Sequence, residues 1–321
     1  DFGDRITGAA VTGVLGYQFD KYTLLVDNGT PYPAGLTGQE VTPDVSNSQV
    51  ALDPLKREFD VCYYNVENLF DHIDDPIDPA FPLSEDWGDW SPGYPTSGSA
   101  AGQALYDAHR LETAQVLYNA TKSCMIIGLE EVEGKQEVYT ALATDLSDLD
   151  PAHNWSAIYV DTGDARDISQ GFLYRDDVTL VSGPTPVVGA PYTTWVTDGV
   201  LDFRRIPASA VFQVFTGKAT QTNLTVYGLH FKSKGSSASC TTPDCTDVRE
   251  KEAADLRDIL KHHQIAAEYA IAGGDFNDYI VSSPIAILNA YPGIWSLWSE
   301  LPAAQQWSYI FNGESEVLDH M

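Results

Sequence analysis

Apolar positions along the chain fall into short β-rich runs, broken by polar stretches and by segments with the three-and-four spacing of a helix. Four of the runs end in polar residues: FDVCYYNVENLF (Phe59–Phe70), CMIIGLEEVEGKQ (Cys124–Gln136), NLTVYGLHFKSKG (Asn223–Gly235) and YAIAGGDFND (Tyr269–Asp278). Each reads as a buried strand that delivers Asn, Glu, His or Asp to one edge of a sheet. Further strands are predicted over 156–160, 171–175, 179–181, 208–215 and 224–229. Near the C-terminal end, 307–311 and 316–318 flank Asn312-Gly313, the pattern of a tight hairpin.

Helical spacing predicts one helix over 104–120, with Leu105, Ala108, Leu111, Ala114, Leu117 and Tyr118 as its buried stripe, and a second over 136–146. A third is predicted over 247–264, opened by Asp247 and Glu250 at capping-box spacing. Val248, Ala253, Leu256, Ile259 and Leu260 would face inward, and His262 and His263 suit the C-terminal end of the helix dipole. Strands alternating with helices, together with antiparallel hairpins, predict an α/β fold with mixed sheets.

The pattern changes before residue 56. Residues 1–28 are strand-like and Gly-rich, with Tyr22–Val26 running into the turn signal Asp27-Asn28-Gly29, and 31–55 are Pro-, Gly- and Ser-rich. The expected organisation is a β-rich N-terminal segment plus linker over 1–55, a partial barrel-like module, followed by one main domain over 56–321. After its first strand that domain carries a long acidic loop. Asp71, Asp74, Asp75 and Asp78 there offer oxygen ligands of the kind calcium takes; a plain solvated loop is the alternative.

Charge alters the picture more than length does. Eighteen Lys and Arg against 46 Asp and Glu give a net charge of −28 over 321 residues. Such a chain stays soluble and monomeric and lacks the broad basic surface of a general nucleic-acid binder, so a phosphate would need a local cationic site. No run of about 18 apolar residues predicts a membrane span. The sequence starts at Asp1, so the missing export signal carries no weight. Cys240 and Cys245 share a short loop that fits a local disulfide, whereas Cys62 and Cys124 sit inside apolar strands and are expected as buried free thiols.

The strand-end residues have a chemistry in common. Asn65, Glu131, Asp275 and Asp319 make a set of oxygen donors that favours magnesium, manganese or calcium over zinc. His230, followed by Lys232 and Lys234, makes a cationic clamp for a phosphate in a chain with few cations. Asp275 is placed to orient a water, and the Asn277 amide to hold a phosphate oxygen.

NVENLF, GLEEVE, LHFKSK and GGDFND, in this order, resemble the metal-dependent endonuclease/exonuclease/phosphatase superfamily, and most of all its secreted bacterial nucleases. The resemblance runs from about Phe59 to the C-terminal end. It implies a four-layer α/β sandwich of two mixed β-sheets flanked by helices. It also implies Asn65 and Glu131 at the metal, His230 at the scissile phosphate, and the Asp275/Asn277 pair beside it. Glu130 stands where Gln is common. Arg166 is similar to an Arg that relatives place near the phosphate, although DARDIS departs from their pattern. The family closes with a Ser-Asp-His strand. EVLDHM is matched instead to the strand before it, with Asp319 as that strand's site residue and the closing strand absent, which would cripple the chain; the alternative makes His320 the closing histidine.

The implied activity is divalent-metal-dependent phosphodiester hydrolysis, with magnesium as the ion and DNA or RNA as the substrate. The implied enzyme is an extracellular bacterial monomer with no stable protein partner. A phosphatase or phospholipid phosphodiesterase of the same superfamily, or an inactive binding protein, are the alternatives.

Overall fold

The computed structural model describes residues 13–18, 21–26, 59–73, 95–121, 124–164, 166–214, 221–235, 237–238, 240–302, 306–311 and 314–321. Before the main domain, β1 (Gly13–Gln18) and β2 (Lys21–Val26) pair as an antiparallel hairpin. Asp74, Asp75 and Asp78 of the acidic loop, and the turns at Asp27–Gly29 and Asn312-Gly313, lie outside the described residues.

Two sheets carry the main domain. The first contains β3 (Val61–Leu69), β4 (Ile126–Glu133), β5 (Trp155–Asp161) and β6 (Ile168–Arg175) in the order β3-β4-β6-β5. The second contains β7 (Thr179–Pro186), β8 (Ala208–Val214), β9 (Thr222–His230), β10 (Tyr269–Asp275) and a two-residue strand, β13 (Asp319–His320). Its order is β13-β10-β9-β8-β7. The β3–β4 and β9–β10 pairs are parallel and their neighbours antiparallel, so both sheets are mixed, as expected. The C-terminal hairpin is β11 (Tyr309–Phe311) with β12 (Glu314–Glu316).

Alternating side chains of the two sheets meet between them. Val61, Ile126 and Phe172 from one pack on Ala210, Phe212 and Val226 from the other, and Phe172 and Phe212 touch edge to face at 5.9 Å. Each of the Val, Ile and Phe side chains contributes about 1.5–3 kcal/mol on leaving water. On the outer faces, α1 (Ala100–Ala120) and α2 (Gln136–Leu149) cover the first sheet, and α3 (Thr246–Ile265) and α4 (Ser283–Asn289) cover the second. The result is the four-layer α/β sandwich.

Tyr63 locks the layers together next to the strand ends. Its ring crosses from β3 to β10, where a Cβ on Gly273 would lie 2.4 Å from Cε2, and its hydroxyl donates to the Tyr227 carbonyl at 2.9 Å. Only glycine fits opposite that ring, so the close approach of β10 to β3 is written at Gly273.

Three sequence expectations are corrected. Helix α1 buries Tyr106, Ala114 and Leu117, while Leu105 and Leu111 are exposed: its inward face is rotated from the predicted stripe. Asp247 forms no capping box. Its carboxylate accepts the backbone N–H groups of Thr241 (2.7 Å) and Thr242 (3.2 Å), and Cys245, in a left-handed conformation, caps α3. Cys62 and Cys124 are not free thiols but a disulfide; Cys62 lies in β3 and Cys124 two residues before its parallel neighbour β4, with Cα atoms 6.0 Å apart. The local Cys240–Cys245 disulfide is present as expected.

Candidate active site

Register brings the four strand ends to one place. Along the parallel pairs, Asn65 lies opposite Glu130 and Asp275 opposite His230; antiparallel pairing sets Asp319 opposite Asp275. Between the sheets, the Asn65 amide (Nδ2) donates to Asp275 Oδ2 at 3.2 Å. Strands from both halves of the sandwich therefore end on a shared hydrogen bond.

Glu131 reaches the same place through a backbone irregularity. Glu130 pairs with Gln170 and Val132 with Ser169, which leaves Glu131 as the extra residue of a β-bulge with φ +63°. A bulge re-aims a side chain, and a non-glycine residue at positive φ carries a strain of about 1–3 kcal/mol that the surrounding structure must hold. The Glu131 carboxylate (Oε1) lies 3.6 Å from His230 Nε2, and Asp275 Oδ2 lies 3.9 Å from the same nitrogen. Two carboxylates from different sheets thus share the space around one imidazole nitrogen.

The electrostatics follow from burial. Burial and the facing Asp319 push Asp275 up to about 7, and burial raises Asp319 in turn. Burial, then Arg205, Arg166 and Lys232, hold His230 well below the usual imidazole value, so the ring is neutral at pH 7. Glu130 is fully buried behind Glu131, neither of its oxygens has a hydrogen-bond partner, and burial with Asp319, Asp275 and Glu131 raises it well above the carboxylate range. A carboxyl that keeps its proton there has the shape and neutrality of the Gln common at that position in the resemblance.

The remaining expected residues divide. Asn277 stands at φ +51°; its N–H donates to Asp275 Oδ1 (2.7 Å) and its amide to the Phe231 carbonyl (3.1 Å), which ties the two motif loops together. Arg166 joins the site: Nη1 lies 3.6 Å from Glu131 Oε1 and donates to Asn68 Oδ1 at 3.2 Å. Lys232 Nζ donates to the carbonyl and hydroxyl of Ser233, and Lys234 Nζ lies 3.4 Å over the Tyr279 ring. Neither ammonium is placed against Glu131 or Asp275. His320 faces away from the carboxylates, with Nε2 donating to the Asp278 carbonyl at 2.8 Å and the ring against Phe276.

Arg205 was missed by the sequence reading. It is buried, donates from Nε to Asp164 Oδ2 (2.7 Å) and from Nη1 to the Phe231 carbonyl (2.7 Å), and Asp164 in turn holds Arg166 at 3.2 Å. The adjacent pair Arg204-Arg205, in a chain with 18 cations, was the signal available.

The residues partly fit a hard divalent ion. The donor set is oxygen-rich, and burial raises both Asp275 and Asp319, with Asp319 adding to the shift of Asp275, so the site disfavours carboxylate charge in the absence of a cation. Among the described residues, however, no three Asp, Glu, His or Cys side chains converge as a ready-made ligand cluster.

Residues 60–188, which hold Asn65, Glu131 and Arg166, match the model of the Endonuclease/Exonuclease/phosphatase family. Over that span, less than half of the chain, the protein is similar to that family. Members of that superfamily are phosphoester hydrolases that generally use divalent metals, so phosphoester hydrolysis is the general activity this similarity supports. His230, Asp275 and Asp319 lie beyond the matched span.

Solved structures are similar to this chain at low identity. The human nocturnin catalytic domain with bound sulfate is 12% identical, covering 66% of this chain and 73% of its own, with a TM-score of 0.44. A Bacteroides thetaiotaomicron mannosyl-6-phosphatase is 16% identical, covering 73% and 70%, with a TM-score of 0.40. Truncated Caenorhabditis elegans TDP2 is 12% identical, covering 66% and 74%, with a TM-score of 0.43. At such identities the substrates of those proteins say nothing about this one. No curated protein matches the chain.

Proposed function

We propose that this protein is a divalent-metal-dependent phosphodiester hydrolase acting on nucleic acid, and an extracellular bacterial nuclease. The observation that carries the reading is the meeting of Glu131 and Asp275 at His230 Nε2, with Asn65 bonded to Asp275. Glu131 and Asn65 would hold the ion, magnesium in the first instance. When bound, such an ion supplies charge neutralisation at the phosphoryl oxygens and the leaving oxygen.

The protein's own groups supply the rest. Asp275, its Oδ1 held by the Asn277 N–H, orients a water and accepts its proton at Oδ2. His230, neutral and buried, presents an N–H rather than a competing cation to an oxygen of the phosphoester, and the second N–H of the Asn277 amide does the same. Arg166 brings permanent positive charge next to Glu131.

Among the described residues no helix is long and apolar enough to cross a membrane. A second reading, hydrolysis of a small phosphate or phospholipid ester, draws on the net charge of −28, since a small substrate needs no long basic groove.

Incubation with plasmid, single-stranded DNA and RNA in magnesium, then with chelator, tests the proposal. Cleavage that chelation abolishes is expected; cleavage that persists in chelator, or none of any substrate in magnesium, overturns it. Turnover of a small phosphoester alone selects the second reading. Metal binding without any turnover identifies a binding protein.

A further inference from the structure

Arg249 lies on α3, outside the strand-end motifs, and its side chain has no exposure at all. Its guanidinium is a junction of four segments. Nε donates to Asp278 Oδ2 at 2.7 Å, in the loop after β10. Nη1 donates to the Lys232 carbonyl at 3.2 Å, in the loop after β9, and to the Asp244 carbonyl at 2.8 Å. Nη2 donates to Thr246 Oγ1 at 3.2 Å, at the start of α3.

The bonds to Asp244 and Thr246 suffice to anchor the start of the helix. Those to Lys232 and Asp278 go further, because Lys232 follows His230 by two residues and Asp278 follows Asn277 directly. Asp278 is itself buried, its Oδ1 accepts the Tyr279 N–H at 3.0 Å, and its carbonyl accepts His320 Nε2. Among the described residues the two loops are otherwise joined by Phe231 N–H to the Asp275 carbonyl (2.9 Å), by the Asn277 amide to the Phe231 carbonyl, and by the Lys234 ammonium over the Tyr279 ring (3.4 Å), none of which is a planar two-directional fork. A planar guanidinium fork fixes direction as well as distance, which an ammonium does not.

We propose that Arg249, paired with Asp278, is a positioning residue for phosphoester hydrolysis: it clamps the loop carrying His230 to the loop carrying Asn277 and sets the spacing at which both meet one phosphate. This rests on the reading that these loops face the phosphoester. Misplacement of catalytic groups by about 1 Å costs on the order of 100-fold in rate.

The test compares Arg249→Lys and Asp278→Ala with Asp258→Asn in the whole chain. Asp258 is an anchor on the same helix that accepts the Thr197 N–H at 3.0 Å, away from these loops. Hydrolysis of bis(p-nitrophenyl) phosphate in magnesium is measured per folded molecule, and NMR follows the His230 ring and the Asn277 side-chain amide. For Arg249→Lys and Asp278→Ala the expected result is a kcat lower by about 100-fold with KM within about twofold. The double variant should lose no more than either single, because the two act as one unit. The NMR signals should move in Arg249→Lys and stay in Asp258→Asn, whose kcat is unchanged. Values of kcat per folded molecule within about threefold of wild type, or an equal loss in Asp258→Asn, overturn the inference. If the wild type cleaves no phosphodiester, the functional reading falls separately; unmoved signals in Arg249→Lys then overturn the clamp.

Discussion

Two groups of charged side chains are buried in this molecule, and they are treated oppositely. On α3, Arg249, Glu252, Asp255 and Asp258 recur at every third position and face inward. Each is answered: Glu252 accepts the N–H groups of Arg204 and Lys232 at 2.9 Å, and Asp255 accepts that of Asp202 at 2.6 Å. At the strand ends, among the described residues, Glu130 has no partner, Asp275 faces Asp319 and is held only by the neutral Asn65 amide and Asn277 N–H, and the nearest ring nitrogen belongs to a neutral imidazole. Unanswered buried charge is costly. The α3 row holds loops in place. The strand-end cluster is built for something that arrives.

The sharpest way to break that contrast is to remove the strand-end carboxylate that no backbone group satisfies. Glu131→Ala should lower phosphodiester turnover by about 10³-fold while leaving the circular dichroism spectrum unchanged, since removal of one member of a catalytic unit commonly costs orders of magnitude. A partner-binding scaffold would tolerate it. Loss of fold instead would place Glu131 among the structural charges.

A smaller effect separates Glu130 from its neighbour. Because its carboxyl is buried and unbonded, the amide of Glu130→Gln fits the same space, and turnover should stay within about threefold of wild type. A loss as large as that of Glu131→Ala would show that Glu130 acts as an ionised ligand.

The smallest effect lies in the α3 row and is a matter of pH. Burial, against the pull of the Asp202 N–H, holds Asp255 up at about 6, compared with 3.8 for an ordinary aspartate. The folded state therefore keeps this proton to higher pH than the unfolded state, so stability falls as pH rises from about 4 through 6. Asp255→Asn retains an acceptor for the Asp202 N–H and has no charge to bury. It should melt higher than wild type at pH 8 and show no such gain at pH 4; an equal shift at both would remove the charge from the explanation.

The same contrast explains what the sequence disclosed. The strand ends were legible because a polar residue after an apolar run announces itself, and Asn65, Glu131, His230, Asp275 and Asp319 all come to one place. The α3 row was not legible. Periodicity registers apolar faces, so Val248, Leu256 and Ile259 were found while Glu252 and Asp255, inward on the same helix, give no apolar signal. Arg205 acts through a carbonyl and through Asp164, contacts set by loop paths and not by spacing. The Cys62–Cys124 disulfide depends on which strands pair in parallel, and no local pattern states that.

The central claim is that the strand-end carboxylates hold a divalent ion. Manganese titration followed by electron paramagnetic resonance, on the wild type and on Glu131→Ala, tests it directly. The account predicts ion bound at the wild-type site, displaced by magnesium, and lost in Glu131→Ala. Equal binding by both proteins, or none by the wild type, would contradict it.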